Sequence, residues 1–306
     1  MKIAAVVVTY NRKELLRRCL SALLKQTRVP DEIIVVDNAS NDGTEYMVSS
    51  EFCDVTYLRL PTNTGGAGGF HEGTRWAVNK GYDWIWLMDD DGVPDPNCLS
   101  ALIDWQDSDL KIRAPLILIE DDPERKLAFG VVFKGKKLEK ESEVWEVAEN
   151  GFLIKAANPF NGILIHRSVF ESIGFPKKEF FLWGDETEFL LRASKGGFKY
   201  GIIVRAIFFH PPNRMTSIPV KLRGFSFEVY HTGNDFRDFL IIRNKAYILW
   251  RYYGFRAYIT HIAKYSLFYL SRYGWKQGFQ ALRAALYGAL GKFDWPTPDS
   301  LAERRI

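Results

Sequence analysis

Cysteine is scarce in this chain: there are three in 306 residues. Cys19, Cys53 and Cys98 have neither the even number of a disulfide framework nor the close spacing of a zinc site. That excludes a stapled secreted scaffold and predicts buried, reduced thiols in a cytoplasmic protein. Long apolar runs are missing too. No uninterrupted stretch reaches the roughly 18 to 20 residues that a spanning helix requires. Met1-Lys2 runs straight into strand-like sequence, without a basic-then-apolar leader. Nor is one charge in large excess: 41 Lys and Arg against 37 Asp and Glu leave a net +4, which gives no reason to expect a nucleic-acid partner. The glycine-rich run "NTGGAGGF" lacks the spacing of a dinucleotide fingerprint and the Gly-Lys-Ser/Thr ending of a phosphate loop.

What is present reads as an α/β protein. The composition, 47% hydrophobic and 25% charged, is ordinary for a globular chain. The β-branched run Ile3 to Val8 is followed by a segment in which Leu15, Leu16, Cys19, Leu20, Leu23 and Leu24 recur at helical spacing. "IIVVD" then predicts a second buried strand ending at Asp37, and "TYLRL" a third. "TNTGGAGGF" reads as a loop, Glu72 to Asn79 as a helix, and Trp84 to Met88 as a fourth strand. Strands alternating with helices predict a mainly parallel sheet with flanking helices. Between Ile112 and Phe152 the charged stretch "KGKKLEKESE" reads as a solvated hairpin. Gly162 to Ile165 reads as a buried strand. "GDETE" precedes a helix with Phe189, Leu190 and Ala193 as its apolar positions, and "GIIVRAIFF" ends in His210 before Pro211 halts pairing.

The polar residues fall where such strands end: Thr9 and Asn11, Asp37 and Asn38, then Asp89, Asp90 and Asp91. Ligands of open α/β sheets bind beyond the carboxyl ends of the strands. Three adjacent carboxylates after an apolar run repel one another and are costly to bury unpaired. A solvated turn accommodates them, and Gly92 and Pro94 suit one. A divalent cation that prefers oxygen ligands is the other way to accommodate them, and on the triplet alone the turn is the plainer reading. The convergence of three polar strand ends on one crevice favours the cation.

In this order the motifs resemble those of the family 2 nucleotide-sugar glycosyltransferases, which have the GT-A fold, over roughly Met1 to Pro212. "VVVTYNR" and "IIVVDNASNDGT" are similar to the family's nucleotide-binding opening, and "WLMDDDG" to its metal-binding aspartates. "FFLWGDETEFLLRA" is similar to the segment that carries its catalytic base. "NTGGAGGF" and "WGDETE" resemble the galactofuranosyltransferases most, with rhamnosyltransferases next. The resemblance implies an inverting, metal-dependent transfer onto a cell-surface polysaccharide or lipid-linked glycan. The sugar would be galactofuranose from UDP-galactofuranose, or alternatively rhamnose from dTDP-rhamnose. A noncatalytic sugar-nucleotide-binding scaffold is the rival of another class; acids at both the metal and base positions oppose it.

Residue by residue, the resemblance implies that Asp89 and Asp91 ligate Mn²⁺ or Mg²⁺. Asp90 would hold the ribose or donor sugar, with Asp89 also facing the donor. His210 would complete the metal site, against the plainer reading of a structural hydrogen bond. Glu186 stands at the base position, where aspartate is usual, and this departure leaves Asp185 as the alternative. Asp37 would meet the uracil edge with Thr9 beside it. Arg12 would contact the base or a phosphate, and Asn63, Gly65 and Gly66 would approach the ribose and diphosphate. Trp183 would wall the acceptor sugar or pack in the core.

Residues 1–225 are expected as the catalytic domain and 226–306 as a basic, aromatic helical region. From Phe236, Arg243, Lys245, Arg251, Arg256, Lys264 and Arg272 interleave with aromatics at helical periodicity. Such a region fits peripheral binding to an anionic membrane surface at the inner face of the cell membrane, or packing and homo-oligomer formation.

Overall fold

The computed structural model describes residues 1–158, 160–212, 217–222 and 225–294. They form two compact units. One comprises Met1–Pro176 and Phe189–Asn213, the other Lys177–Glu188 and Arg214–Ile306. Residues 159, 213–216 and 223–224 of the expected catalytic domain and 295–306 of the expected C-terminal region lie outside the described residues.

The first unit opens with β1 (Ile3–Thr9), α1 (Lys13–Leu24), β2 (Glu32–Asp37), α2 (Thr44–Glu51), β3 (Thr56–Arg59), α3 (Gly65–Asn79) and β4 (Trp84–Asp89). After β5 (Val93–Pro94) and α4 (Cys98–Ile103) come β6 (Ile112–Leu118), the hairpin β7 (Lys126–Phe133) and β8 (Lys136–Lys140), and α5 (Glu141–Val147). It closes with β9 (Phe152–Ile154), β10 (Asn161–His166), α6 (Arg167–Ile173), the body of α7 (Asp185–Lys195) and β11 (Tyr200–Phe209). These strands form one sheet, ordered β3-β2-β1-β4-β10-β6-β11-β5 along its main path. The first four strands are parallel, and β10 enters antiparallel between β4 and β6.

Every residue of β1 is buried, because the sheet is covered on both sides. Ala4, Val6 and Val8 point into the core that contains Phe70, Ala77 and Val78 of α3. Ile3, Ala5 and Val7 point into the core holding Leu16, Cys19, Leu20 and Leu23 of α1. This two-residue alternation explains why the strand reads as a continuous apolar run. Cys19 and Cys98 are buried as expected, whereas Cys53 is exposed. The "KGKK" stretch forms the β7–β8 hairpin, and "ESE" begins α5 instead of extending it.

The glycine-rich run is not a loop: it is the first two turns of α3, which begins seven residues before Glu72. A Cβ on Gly69 would stand 2.5 Å from Val8 Cγ1, and one on Gly73 2.5 Å from Val6 Cγ1 and 2.7 Å from Val36 Cγ2. Gly69 and Gly73 are four residues apart, so they share one helix face, and their missing side chains let α3 lie directly on β1 and β2. Gly66 differs, since a Cβ there would meet nothing within 4 Å.

The second unit contains the strand pair β12 (Ser217–Leu222) and β13 (Phe225–Tyr230), then α8 (Asp235–Ile248), a π-helical turn at Leu249–Tyr253, α9 (Phe255–Tyr273) and α10 (Trp275–Leu290). Its core gathers Phe239, Ile242, Tyr258, Phe268 and Ala284, among others. Helix α8 is buried on nearly all sides, and Arg243 is 1% exposed. Arg243 is thus not among the basic residues that could meet a membrane surface: it donates to backbone carbonyls and to the Asn244 side chain. At Gly288 of α10 a Cβ would fall 2.1 Å from the Arg243 carbonyl oxygen, so α8 and α10 meet backbone to backbone.

The two kinds of glycine should answer substitution with opposite signs. Gly73→Ala forces overpacking against Val6 and Val36 and should lower the unfolding free energy by about 1–3 kcal/mol. Gly66→Ala, in open space on a helix, should raise it by roughly 0.4–1 kcal/mol. Urea unfolding of both variants checks this.

Candidate active site

Parallel register places Thr9 opposite Asp37 and Val8 opposite Asp89, so the polar ends of β1, β2 and β4 share one edge of the sheet. Asp90 and Asp91 begin the turn beyond β4, and Gly92 closes it by donating to the Asp89 carbonyl at 3.3 Å. A Cβ at Gly92 would stand 2.4 Å from the Phe208 ring, so this turn tolerates no side chain. Thr9 Oγ1 donates to Asp90 Oδ2 at 2.8 Å, and Arg12 Nη1 donates to Asp90 Oδ1 at 3.1 Å and Asp91 Oδ2 at 3.2 Å. Pairing of Phe209 with Val93 brings the end of β11 beside the same turn. There His210 Nε2 lies 3.0 Å from Asp91 Oδ1, and Nδ1 lies 2.6 Å from the Pro211 carbonyl oxygen. A carbonyl only accepts, so Nδ1 carries a proton, and Nε2, the atom turned to the aspartates, carries a second one when it donates to ionised Asp91.

The turn holds more negative charge than it neutralises. Burial, then the charges of Asp91 and Asp90, push Asp89 up to about 8. Burial also raises Asp90, to about 6, against the pull of Arg12 and Thr9. Asp91 is held below the ordinary carboxylate value: burial opposes this, but its hydrogen bond to His210 and the charges of His210 and Arg12 outweigh it. Burial likewise resists charging His210, while the bond to Asp91 and that carboxylate's charge raise its pKa on balance.

Carboxylate oxygens and an imidazole nitrogen around surplus negative charge suit a hard divalent cation such as Mg²⁺ or Mn²⁺. Among the described residues no three His, Cys, Asp or Glu side chains are gathered as a ready ligand set. Asp91 and His210 are turned to one another, and Asp90 uses both oxygens on Thr9 and Arg12. The expected ligand His210 is thus in contact with one expected ligand, Asp91.

Asp37 is fully buried and already saturated. Oδ1 accepts from the Ser40 N–H at 3.0 Å and from the Ser40 hydroxyl; Oδ2 accepts from the Tyr57 hydroxyl and from Arg59 Nη1 at 3.0 Å. Four donors occupy all the lone-pair positions of a carboxylate. Asp37 therefore shapes the loop after β2 rather than presenting a vacant acceptor. Ser40, Tyr57 and Arg59 are missing from the sequence reading. Ser40 carries a local signal, since Asp with Ser three residues on favours a side-chain turn; Arg59 and Tyr57 arrive only through β2–β3 pairing. Asn38 ties the same loop to α3, accepting from Thr64 N at 3.1 Å and donating to the Gly65 carbonyl at 3.3 Å, and Asn63 Oδ1 accepts from Gly65 N at 2.8 Å. Of the run, Gly66 keeps open space beside it.

A cavity of about 680 Å³ lies elsewhere, beside β3 and α3, lined by Tyr57, Arg59, Glu72, Arg75, Trp76 and Lys80 among others. None of the three aspartates lines it. Arg75 pairs with Glu72 in the same wall, and Arg59 pairs with Asp37, which does not line the cavity, so the perturbed charge at the strand ends identifies the site better than this volume does.

Trp183, Asp185 and Glu186 belong to the second unit. Trp183 packs, partly buried, against that unit's core. Asp185 and Glu188 are buried, and Glu188 accepts from the Tyr252 hydroxyl at 2.8 Å. Glu186 is partly exposed, and its Oε2 accepts from Gly184 N at 3.0 Å. Glu186 is thus the more exposed of the two expected base candidates.

Residues 4–126 match the model of glycosyl transferase family 2. The chain is 35% identical over 254 residues to the galactofuranosyltransferase GlfT1 of Mycolicibacterium smegmatis, covering 81% of this chain and 82% of that protein. The chain belongs to glycosyl transferase family 2. It is also 34% identical to GlfT1 of Mycobacterium tuberculosis H37Rv, over 80% of this chain and 81% of that one. Among solved structures, the mannosyltransferase PcManGT of Pyrobaculum calidifontis, in complex with GDP-Man and Mn²⁺, superposes with a TM-score of 0.55 at 15% identity, over 99% of this chain and 78% of that one. GalNAc-T7 with UDP, GalNAc and Mn²⁺ gives 0.58 at 16% identity, over 89% of this chain and 50% of that one. The protein is therefore a glycosyltransferase with the GT-A fold, and the family match spans Thr9, Arg12, Asp37, Asn63, Gly65, Gly66 and the aspartate turn.

Charge at this turn sets a pH dependence in chelated buffer. A carboxyl whose folded pKa is raised holds a proton that the unfolded chain has lost, so stability falls as pH rises from the ordinary 3.8 toward about 8 for Asp89. His210 acts in the same direction: its raised pKa contributes below the ordinary 6.5 and is lost as pH rises through the folded value. Asp89→Asn should flatten this slope, stabilising the protein at pH 8 relative to pH 5 by on the order of 1 kcal/mol or more. Urea titrations at the two pH values measure it, and an unchanged slope would remove Asp89 as the source.

Proposed function

We propose that this glycosyltransferase moves galactofuranose from UDP-galactofuranose onto a cell-surface polysaccharide or lipid-linked glycan, with inversion and with Mn²⁺ or Mg²⁺. The observation that carries the donor is the match to galactofuranosyltransferases over about four fifths of the chain. Asp91, Asp89 and the Nε2 face of His210 would hold the cation, which when bound neutralises the charge gathering on the leaving diphosphate. Asp90, oriented by Thr9 and Arg12, holds the ribose or donor sugar. Asn63, Gly65 and Gly66 border the diphosphate, and the loop fixed by Asp37 shapes the seat of the base. The acceptor oxygen attacks the anomeric carbon, the bond to the phosphate oxygen breaks with its electron pair, and Glu186 takes the acceptor proton. Trp183 walls the acceptor.

Glu186→Gln keeps shape and removes the base. Transfer should fall on the order of a hundred- to ten-thousand-fold, while calorimetric binding of UDP is retained. Survival of transfer in this variant, with loss in Asp185→Asn, would move the base to Asp185. A dTDP-rhamnose arm in the same assay tests the donor.

The same reading places the second unit on an anionic membrane surface. Residues 239–293 hold nine Lys and Arg and no Asp or Glu. On α10 the exposed Trp275, Phe279, Leu286 and Leu290 recur at helical spacing as one apolar stripe. No helix among the described residues is long and apolar enough to cross a membrane, so surface binding is the mode that fits. Liposome flotation should show retention on anionic vesicles that falls with salt, each basic residue contributing about 1 kcal/mol. Neutralising Arg251, Arg256 and Lys264 should release the protein; equal binding to neutral vesicles, or none to either, would favour packing or a homo-oligomer.

A further inference from the structure

The segment before Glu186 has an unusual backbone. Phe181 has φ 66° and ψ −63°, Trp183 has φ 60° and Gly184 has φ 89°. Leu182 N donates to the Phe180 carbonyl at 2.8 Å, which closes a γ-turn of the rarer hand around Phe181. A bulky side chain in that conformation costs on the order of 1–3 kcal/mol and persists only where its surroundings fix it. Two adjacent residues of α8 do so. Asn244 Nδ2 lies 2.9 Å from each of the carbonyl oxygens of Phe180, Leu182 and Trp183, sharing its two hydrogens among them. Arg243 Nη2 donates to the Glu179 and Phe180 carbonyls at 3.1 and 3.2 Å, and its Nε donates to Asn244 Oδ1 at 2.9 Å. Both side chains are 1% exposed, and burial pushes the Arg243 guanidinium down to about 10.

A buried guanidinium and a buried amide spent on main-chain carbonyls are costly, so the turn they fix is what gives their burial a purpose. The turn leads directly to Gly184, whose N–H holds Glu186 Oε2. We propose that Arg243 and Asn244 are positioning residues: by locking the γ-turn at Phe181 they set Trp183 and Glu186 in the orientation that acceptor transfer requires. This rests on the reading of Glu186 as the base. It makes α8 part of the acceptor machinery.

The test uses the full chain with UDP-galactofuranose and an acceptor glycan. Asn244→Ala should lower kcat about a hundredfold, the scale expected of an ångström-sized misplacement, while UDP affinity stays unchanged. Phe181→Gly alone should leave kcat within a few-fold, since glycine adopts a positive φ without strain. The double variant Phe181→Gly/Asn244→Ala should recover at least tenfold of the loss, because the turn then needs less holding. General weakening of the fold would not be repaired by glycine at that position. Normal kcat in Asn244→Ala, or no recovery in the double variant, overturns the proposal. If Asn244→Ala loses transfer while Glu186→Gln and Asp185→Asn both retain it, the base assignment fails and the positioning role moves to Trp183 alone. Should Asn244→Ala not fold, Asn244→Ser, which keeps one donor, is read in its place by the same criteria.

Discussion

Like charge confined at the end of a buried strand is the constraint around which the first unit is organised. β4 is apolar until it reaches Asp89, and the next two residues are again aspartates, placed in a turn that cannot hold even a Cβ at Gly92. Three carboxylates in that space cannot all ionise cheaply, so neighbouring strand ends supply what they can: a hydroxyl from β1, a guanidinium from the start of α1 and an imidazole from the end of β11. The unspent charge is the feature on which the proposed seat for a cation, and for a diphosphate carried by it, rests.

Sheet topology explains why those groups converge. β1, β2 and β4 are parallel neighbours, which puts their carboxyl ends on one side, while β11 runs parallel to β6 and brings His210 back to the same turn. Helices on both faces let central strands such as β1 and β4 be buried almost throughout, so specificity is left to the residues at and just past their ends. The loop after β2 follows this rule. Asp37 is consumed internally, by Ser40 of its own loop and by Tyr57 and Arg59 of β3.

Much of this was legible in the sequence. The alternation of apolar strands and amphipathic helices, and the polar residues at strand ends, follow from periods of 2 and 3.6 that any reader can count. Thr9, Arg12, Asp90, Asp91 and His210 come together in the structure; of these the strand-end argument names Thr9 and the aspartates, while Arg12 and His210 rest on the family resemblance. The glycine run was misread because a helix so rich in glycine contradicts propensity; only the distance from Gly69 and Gly73 to the valines of β1 and β2 explains it. The burial of Arg243 is not legible locally, because a basic residue interleaved with aromatics fits a membrane-facing helix equally well, and its carbonyl partners lie 63 and 64 residues away. The saturation of Asp37 depends on long-range pairing that no local pattern encodes.

The backbone contact between Gly288 and the Arg243 carbonyl has a mechanical meaning. With no side chain interposed, there is no compressible layer between α10 and α8, so a displacement of one is passed to the other almost undiminished. The side chain of that same Arg243 grips the turn ahead of Glu186. One stretch of α8 thus serves both contacts: the Arg243 backbone bears on the helix that carries the stripe of exposed aromatics and leucines, and the side chains of Arg243 and Asn244 bear on the carbonyls ahead of the acidic segment. Load applied to the outer face of α10 is therefore felt at the turn, and the whole transmission runs inside the second unit.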